Sequence, residues 1–383
     1  MIYLNVMSTK YVRSAIVTAA ALSILTGCSG KTDTAGNSTR LIWSFSNVTD
    51  NGMFYTDDEE RLNFLDFGSM NTTVLCSKPN CAHNDPKSCS SFGISNHPIL
   101  YDNKLYYFDV ESIVDKDENY KDITTVYRSE IDGTDRVPLY KADDMSTAPF
   151  YRMILKGDTA YFYMTKHGND KGNSTGYDIG YFCSYNIPAN EFKVIDNIYE
   201  GYHSGAWIYG AWNNKIYLSV SYSKKKIDFP LGGDKEAFDK FHQAIEDATI
   251  DEYMVYDIET NTLTQSELPV PVYVGEGVYA YEKDGGSALL PENGEEILLK
   301  DFEKTDTFCV FNGAVFNISK KICTKLSEKN TAYSLNISDR QSIEAFYNGS
   351  FIVKEVIVDD TGTVLNTIYK KINEADLIGE KIG

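Results

Sequence analysis

Asp102-Asn103-Lys104-Leu105-Tyr106-Tyr107-Phe108 couples a turn pair to a run of apolar and aromatic residues, and that coupling returns along the chain. Asn51-Gly52 precedes Met53-Phe54-Tyr55, Gly157-Asp158 precedes Ala160-Tyr161-Phe162-Tyr163, and Asn213-Asn214 precedes Ile216-Tyr217-Leu218. Glu276-Gly277 precedes Val278-Tyr279-Ala280-Tyr281, Asn312-Gly313 precedes Ala314-Val315-Phe316, and Asn348-Gly349 precedes Phe351-Ile352-Val353. Such pairs tolerate positive φ in a two-residue loop, so each marks a strand folding back on the next.

Several units carry a second hairpin. Val126-Tyr127-Arg128-Ser129-Glu130-Ile131 turns at Asp132-Gly133, Met254 to Ile258 turns near Asn261, and Val356-Ile357-Val358 turns between Asp359 and Gly362. Two hairpins make four antiparallel strands, and a four-stranded sheet repeated every 35 to 60 residues or so predicts an all-β fold, a single β-propeller over residues 41–383. The turns favour seven blades over six. A β-sandwich or a pair of them is the competing architecture. Composition agrees with β structure: 28 Tyr and 19 Phe stand beside abundant Val, Ile and Thr, which suit a pleated, half-buried surface.

Leu41-Ile42-Trp43-Ser44-Phe45 reads as a strand without a local partner, expected to close the ring beside the last unit near Tyr369-Lys370-Lys371-Ile372. One short helix is expected to interrupt the fourth unit. After Gly232-Gly233, Asp234 caps a segment whose Phe238, Phe241, Ile245 and Ala248 share a face.

The first forty residues differ in kind. Lys10 and Arg13 precede an uncharged, mostly apolar run from Ala15 to Leu25, closed by Leu25-Thr26-Gly27-Cys28. This is the layout of a cleavable export signal rather than a membrane span. Residues 1–27 are therefore read as a signal peptide, and residues 28–40, rich in Gly, Ser, Thr and Asn, as a flexible tether. Losing the leader removes Lys10 and Arg13 and no acid, so the formal charge of −19 falls to −21. So acidic a domain repels phosphate backbones and excludes nucleic acid as a partner.

The Leu25-Thr26-Gly27-Cys28 string resembles the lipobox of bacterial lipoproteins. That resemblance implies a lipidated Cys28 as mature N-terminus and a monomer held to the membrane by its acyl chains. It implies a location on the outer face of the cytoplasmic membrane, or on the periplasmic or outer-membrane face of a two-membrane cell. Phe54-Tyr55-Thr56-Asp57 and Tyr127-Arg128-Ser129-Glu130-Ile131-Asp132-Gly133-Thr134 resemble the YWTD-type repeat of low-density-lipoprotein-receptor and TolB-like propellers. The tetrapeptide differs from Tyr-Trp-Thr-Asp at its first two positions and later units lose it. The resemblance implies an extracytoplasmic binding scaffold and assigns no catalytic residue.

Cys76, Cys81, His83 and Cys89 fall within fourteen residues of a loop punctuated by Pro and Asn. Four soft ligands of this kind suit a tetrahedral structural zinc site. Disulfide pairing is the rival in an oxidising compartment. Either would clamp the connection between the first and second units. His203, Trp207 and Trp212 are a candidate ligand-binding group near the fourth unit, with core packing as the alternative.

Catalytic signals are poor. Gly172-Asn173-Ser174-Thr175-Gly176 fits G-x-S-x-G but lacks the flanking strand and helix of a nucleophile elbow. Asp115-Lys116-Asp117-Glu118-Asn119 lacks the glycine and distal glutamate of a calcium loop. No catalytic residue is assigned. The leading expectation is a non-enzymatic binding or scaffold module for a solute, glycan or protein partner. The alternatives are a surface hydrolase or lyase acting on polysaccharide or peptide, and an envelope-assembly or sensor subunit. Convergence of His97, His167 or His203 with carboxylates around one opening would favour the hydrolase.

Overall fold

The computed structural model describes residues 39–42 and 46–382, apart from 58, 95, 115–119, 147–152, 169–175, 231, 233–234, 268–270, 276–277, 284–285, 292–294, 300–307 and 329–330. The leader, most of the tether, the Asp115 and Gly172 segments, the Glu276-Gly277 pair and the Asp234 cap lie outside the described residues. What is described is all-β, with antiparallel sheets that follow one another along the chain.

A short strand β1 (Thr39–Ile42) comes first. β2 (Ser46–Val48), β3 (Gly52–Thr56), β4 (Leu62–Asp66) and β5 (Thr72–Val74) then form a four-stranded meander. β6 (Asn96–Tyr101), β7 (Lys104–Val114), β8 (Tyr120–Ser129) and β9 (Val137–Asp143) form the second. A longer sheet joins β10 (Met153–Lys156), β11 (Thr159–His167), β12 (Tyr177–Asn186), β13 (Glu191–Trp212), β14 (Lys215–Ser223), β15 (Thr249–Asp257) and β16 (Thr262–Ser266), with β1 on its β10 edge. β17 (Val272–Gly275), β18 (Val278–Lys283), β19 (Gly286–Pro291) and β20 (Ile297–Leu299) follow as another four. β21 (Phe308–Phe311), β22 (Ala314–Asn317), β23 (Ile322–Lys325) and β24 (Ala332–Leu335) form the next. β25 (Gln341–Tyr347), β26 (Ser350–Val358) and β27 (Val364–Asn373) make a sheet of three, and β28 (Ile378–Ile382) returns to pair with β24.

The long sheet divides by its hydrogen bonding. β13 pairs with β12 from Glu191 to Tyr202 and with β14 from Tyr202 to Trp212. At the exchange His203 takes φ 49, a left-handed conformation uncommon for a residue with a Cβ, inside a bulge between Tyr202 and Gly205. The insertion α1 (Lys235–Ala248) joins β14 to β15 and buries Phe241, with Phe238 and Ile245 partly covered on the expected face.

The turn pairs act in more than one way. Asp102-Asn103, Asn213-Asn214, Asn312-Gly313 and Asn348-Gly349 all have positive φ at both residues and close two-residue loops, as read from the sequence. Asn51-Gly52 does not. Gly52 already lies in β3 opposite Asp66, and a Cβ there would sit 2.3 Å from the Phe64 ring and 2.4 Å from the Leu65 carbonyl. That glycine serves close packing, not turn geometry.

Leu41 and Ile42 do not close onto the C-terminal unit. β1 pairs antiparallel with β10, Leu41 opposite Ile154. The edges of the two candidate partners differ: Met153, Ile154 and Leu155 on β10 are at most 1% exposed, whereas β27 presents exposed Val364 and Leu365 and the two lysines Lys370 and Lys371. Lysine on an edge discourages an added strand.

Buried side chains meet between successive sheets. Phe54, Leu62, Ile94, Leu105 and Tyr107 join the first sheet to the second, and Phe108, Val126, Met153, Phe162 and Cys183 join the second to β10–β12. Phe182, Ile198, Ile208, Leu218 and Tyr256 fill the space around β13, while Leu289, Val310 and Val315 link the β17–β20 sheet to the next. Phe316, Leu335, Ile343, Phe351 and Val353 join the last two. Finally Met53, Leu65 and Phe67 of the first sheet pack on Ala345 and Ile352 of the last. Along a parallel line, β2 touches β6, β10 touches β13, β13 touches β17, β17 touches β21 and β21 touches β25.

Candidate functional site

The loop that leaves β5 and enters β6 carries the thiol cluster. Asn80 and His83 take positive φ (57 and 52), folding Cys81 and His83 back toward the loop ends. The Cys81 amide donates to the Lys78 carbonyl at 3.3 Å, and the Cys89 amide to that of Asp85 at 3.0 Å. These turns bring Cys76, Cys81, His83 and Cys89 together, each with one ligand atom and all four within 4.8 Å of one another. His83 Nδ1 lies 3.4 Å from Cys89 Sγ, and Cys89 Sγ lies 2.9 Å from Ser91 Oγ. None of the six described cysteines is in a disulfide.

The donor set fits a tetrahedral soft metal. Zinc–thiolate bonds of about 2.3 Å put sulfurs roughly 3.8 Å apart around one ion, so atoms within 4.8 Å close onto it with small rotations. The surroundings already favour thiolate at one corner. Burial works to raise the Cys76 thiol, but hydrogen bonds from Ser90 and from the Lys78 backbone outweigh it and bring the pKa down to about 7. A hydrogen bond from the His83 backbone amide works to lower the Cys81 thiol, but burial and the nearby Cys89 and Cys76 sulfurs outweigh it and leave Cys81 above its ordinary value. Crowded sulfurs that resist simultaneous ionisation are relieved by a bound cation. Burial and the Arg61 guanidinium both lower the His83 pKa, keeping its imidazole neutral as a ligand requires.

The loop is tied to both sheets that flank it. Leu62 N donates to Ser91 O at 2.8 Å, and Arg61 Nη1 reaches His83 O at 3.4 Å. Arg61 is held in turn by Asp57, whose Oδ2 accepts from Arg61 Nε at 2.8 Å and from Asn63 Nδ2 at 2.9 Å. On the second sheet, Arg136 donates to the carbonyls of Ser90 (2.6 Å) and Phe92, and Ser90 Oγ donates to Asp132 O at 3.0 Å. Gly133 makes room, since a Cβ there would sit 2.3 Å from Ser90 O.

A second polar constellation lies where β7, β8, β11 and β12 end together. His167 stands between two carboxylates, with Nδ1 2.8 Å from Asp178 Oδ1 and Nε2 3.1 Å from Asp122 Oδ2. Ser112 donates to Asp122 at 2.5 Å and Ser204 to Asp178 at 3.3 Å. One of the three named histidines therefore does converge with acids. Both ring nitrogens are engaged, however, and Ser204 bonds the carboxylate, not the imidazole, so the group lacks the nucleophile-to-base contact of a hydrolytic triad. The nearby string Asp122, His167 and Asp178 is spread through the sequence with no motif, which is why sequence reading singled out only the histidine.

His203, Trp207 and Trp212 are not brought together. They lie along the single strand β13, nine residues and up to about 30 Å from end to end. His203 Nε2 bonds the Ile227 carbonyl at 3.0 Å and its ring packs edge-on to Phe241 of α1, so it fastens the helical insertion to the β13 bulge. Trp207 and Trp212 are half-buried. The side chain of His97 lies outside the described residues.

No family model matches the chain, and no curated protein matches it. Among solved structures it resembles an oligogalacturonate lyase in complex with manganese at 10% identity and TM-score 0.34, over 86% of this chain and 77% of that one. It also resembles a structure from an analysis of two prolyl endopeptidases (10%, TM-score 0.42, 95% of this chain, 54% of that one). Dipeptidyl peptidase 4 of Porphyromonas gingivalis matches at 11% and TM-score 0.34 over 90% of this chain and 55% of that one. This chain spans about half the length of the two peptidases. At these identities and scores the likenesses assign it no activity.

Proposed function

We propose that the chain is a lipid-anchored, extracytoplasmic binding scaffold, built as a seven-bladed β-propeller with a structural zinc between its first two blades. The export and anchoring part rests on Leu25-Thr26-Gly27-Cys28 behind Lys10 and Arg13. The propeller reading is supported by the serial four-stranded meanders, the division of the long sheet at Tyr202, and the shared core of Met53, Leu65 and Phe67 with Ala345 and Ile352, which joins first sheet to last.

The observation that carries a binding role over a hydrolytic one is the engagement of His167 by both acids. His83 faces thiols, His167 is spanned by two carboxylates and His203 holds a backbone carbonyl. His167, the one of them that meets carboxylates, has both ring nitrogens occupied by them and offers no free nitrogen as a general base. The test is a glycan and peptide binding screen on the purified mature protein, run beside hydrolysis and elimination assays on the same panel. Binding without turnover is expected, and turnover that survives chromatography would overturn the reading.

The metal is tested separately. Elemental analysis of protein purified without chelator is expected to give one zinc per chain, with Cys76, Cys81 and Cys89 protected from thiol reagents until a chelator is added. Cys89→Ser should abolish zinc retention, because Cys89 is the buried member of the four. Zinc-free protein whose three thiols react at once, or whose cysteines are disulfide-linked, would reject the site.

A further inference from the structure

His167 closes a bridge that crosses from one sheet to another. Asp178 lies on β12, directly opposite His167 across the β11–β12 ladder. Asp122 belongs to β8, in the second sheet, and is 8% exposed. We propose that His167 is a proton-operated latch across the seam between the second sheet and the sheet that follows it, closed when the imidazole is charged and released at the Asp122 side when it is neutral.

The chemistry follows from counting donors. An imidazolium has two N–H groups and satisfies both carboxylates with charge-assisted bonds. A neutral imidazole has one, so a lone pair must then face a carboxylate. The retained contact is the shorter one within the ladder, Nδ1 to Asp178 at 2.8 Å, and the contact given up is Nε2 to Asp122 at 3.1 Å. Asp122 keeps Ser112 as a partner after release.

Among the described residues, the surrounding charges do not compete for the ring. On β11, Lys166 is turned to Asp144 at 2.6 Å. On β13, Glu200 is held by Tyr177 (3.2 Å) and Asn197 (2.7 Å), Ser204 bonds the far oxygen of Asp178, and His203 faces Ile227. On β7, Ser112 bonds Asp122 and the neighbouring Glu111 is exposed, while Lys121 precedes Asp122 on β8. The groups acting on His167 are Asp178 first, through its hydrogen bond, then opposing burial, then the charges of Asp178 and Asp122; together they hold its pKa above the ordinary value.

The sign is therefore defined. A histidine with a raised folded pKa contributes stability in full below the unfolded value of about 6.5 and loses it as pH rises through the folded value. The experiment is an NMR titration of the full mature chain carrying histidine labelled at the ring Cε1, with the His167 signal assigned from His167→Gln, together with thermal unfolding of both proteins from pH 5.5 to 8.5. The wild type should titrate above 6.5 and lose melting temperature relative to His167→Gln across that window.

Asp122→Asn should lower the His167 pKa by about one unit, and Asp178→Asn by more. These two variants serve if His167→Gln fails to fold. A His167 pKa at or below 6.5, parallel melting profiles, or an Asp122→Asn titration identical to wild type would each sink the latch.

Discussion

At the level of single residues, glycine separates two demands that look alike in sequence. Gly133 and Gly349 both have positive φ, 74 and 78, but a Cβ on Gly133 would meet Ser90 O at 2.3 Å whereas one on Gly349 would meet nothing within 4 Å. Gly349→Ala should therefore cost about 1 kcal/mol of backbone strain alone. Gly133→Ala should cost about 3 kcal/mol, since the carbonyl that it displaces also receives Arg136. Urea denaturation of the two variants checks the difference. The four residues of the proposed metal site were legible individually because three cysteines and a histidine crowd fourteen positions. Their convergence could be read only as one of two alternatives beside a disulfide, because it depends on left-handed conformations at Asn80 and His83 that no spacing template encodes.

At the level of elements, the hairpins repeat a turn that goes beyond the Asn-Gly pairs. Tyr185-Asn186-Ile187-Pro188-Ala189-Asn190 and Tyr256-Asp257-Ile258-Glu259-Thr260-Asn261 share one geometry. In each, the tyrosine hydroxyl donates to the asparagine Oδ1 at 2.6 Å and the asparagine has positive φ (51 and 55). The isoleucine amide of each donates to a carbonyl of the preceding tight turn, Ile187 to Asp158 at 3.0 Å and Ile258 to Asn214 at 2.9 Å. This ties the two hairpins of one unit together. Tyr185→Phe should cost about 1 kcal/mol, and Tyr256→Phe a similar amount, read from denaturation midpoints at unchanged slope. The helix between β14 and β15 was legible from its apolar face, whereas the switch of β13 from one partner strand to the next was not. A continuous alternating segment of 22 residues carries no mark of where its hydrogen bonds change hands, and only the bulge at His203 places the break.

At the level of the whole molecule, the proposed ring makes a prediction that an open row of sheets does not. Phe67 of the first sheet and Tyr347 of the last have ring centroids 5.8 Å apart, and Lys371 donates to the Phe67 carbonyl at 3.2 Å. A double-mutant cycle on Phe67→Ala and Tyr347→Ala should give a coupling of about 1 kcal/mol in the intact chain. Additive effects would mean that the first and last sheets do not meet in solution. Ile352→Ala, at a wholly buried position in the same contact, should cost about 3 kcal/mol and lower a single cooperative transition, not split it in two.

The sequence by itself determined the β class, the serial hairpins, the helical insertion and the thiol-rich loop, because turn chemistry and side-chain alternation are local properties of the chain. Only the tertiary structure decided which edges met. It placed β1 on the buried edge of β10 instead of on the lysine-bearing β27, and sent β28 back to β24. It also set His167 between acids 45 and 11 residues away. Those pairings depend on which apolar surfaces remain uncovered after the hairpins have formed, a competition between distant segments that no single stretch of sequence records.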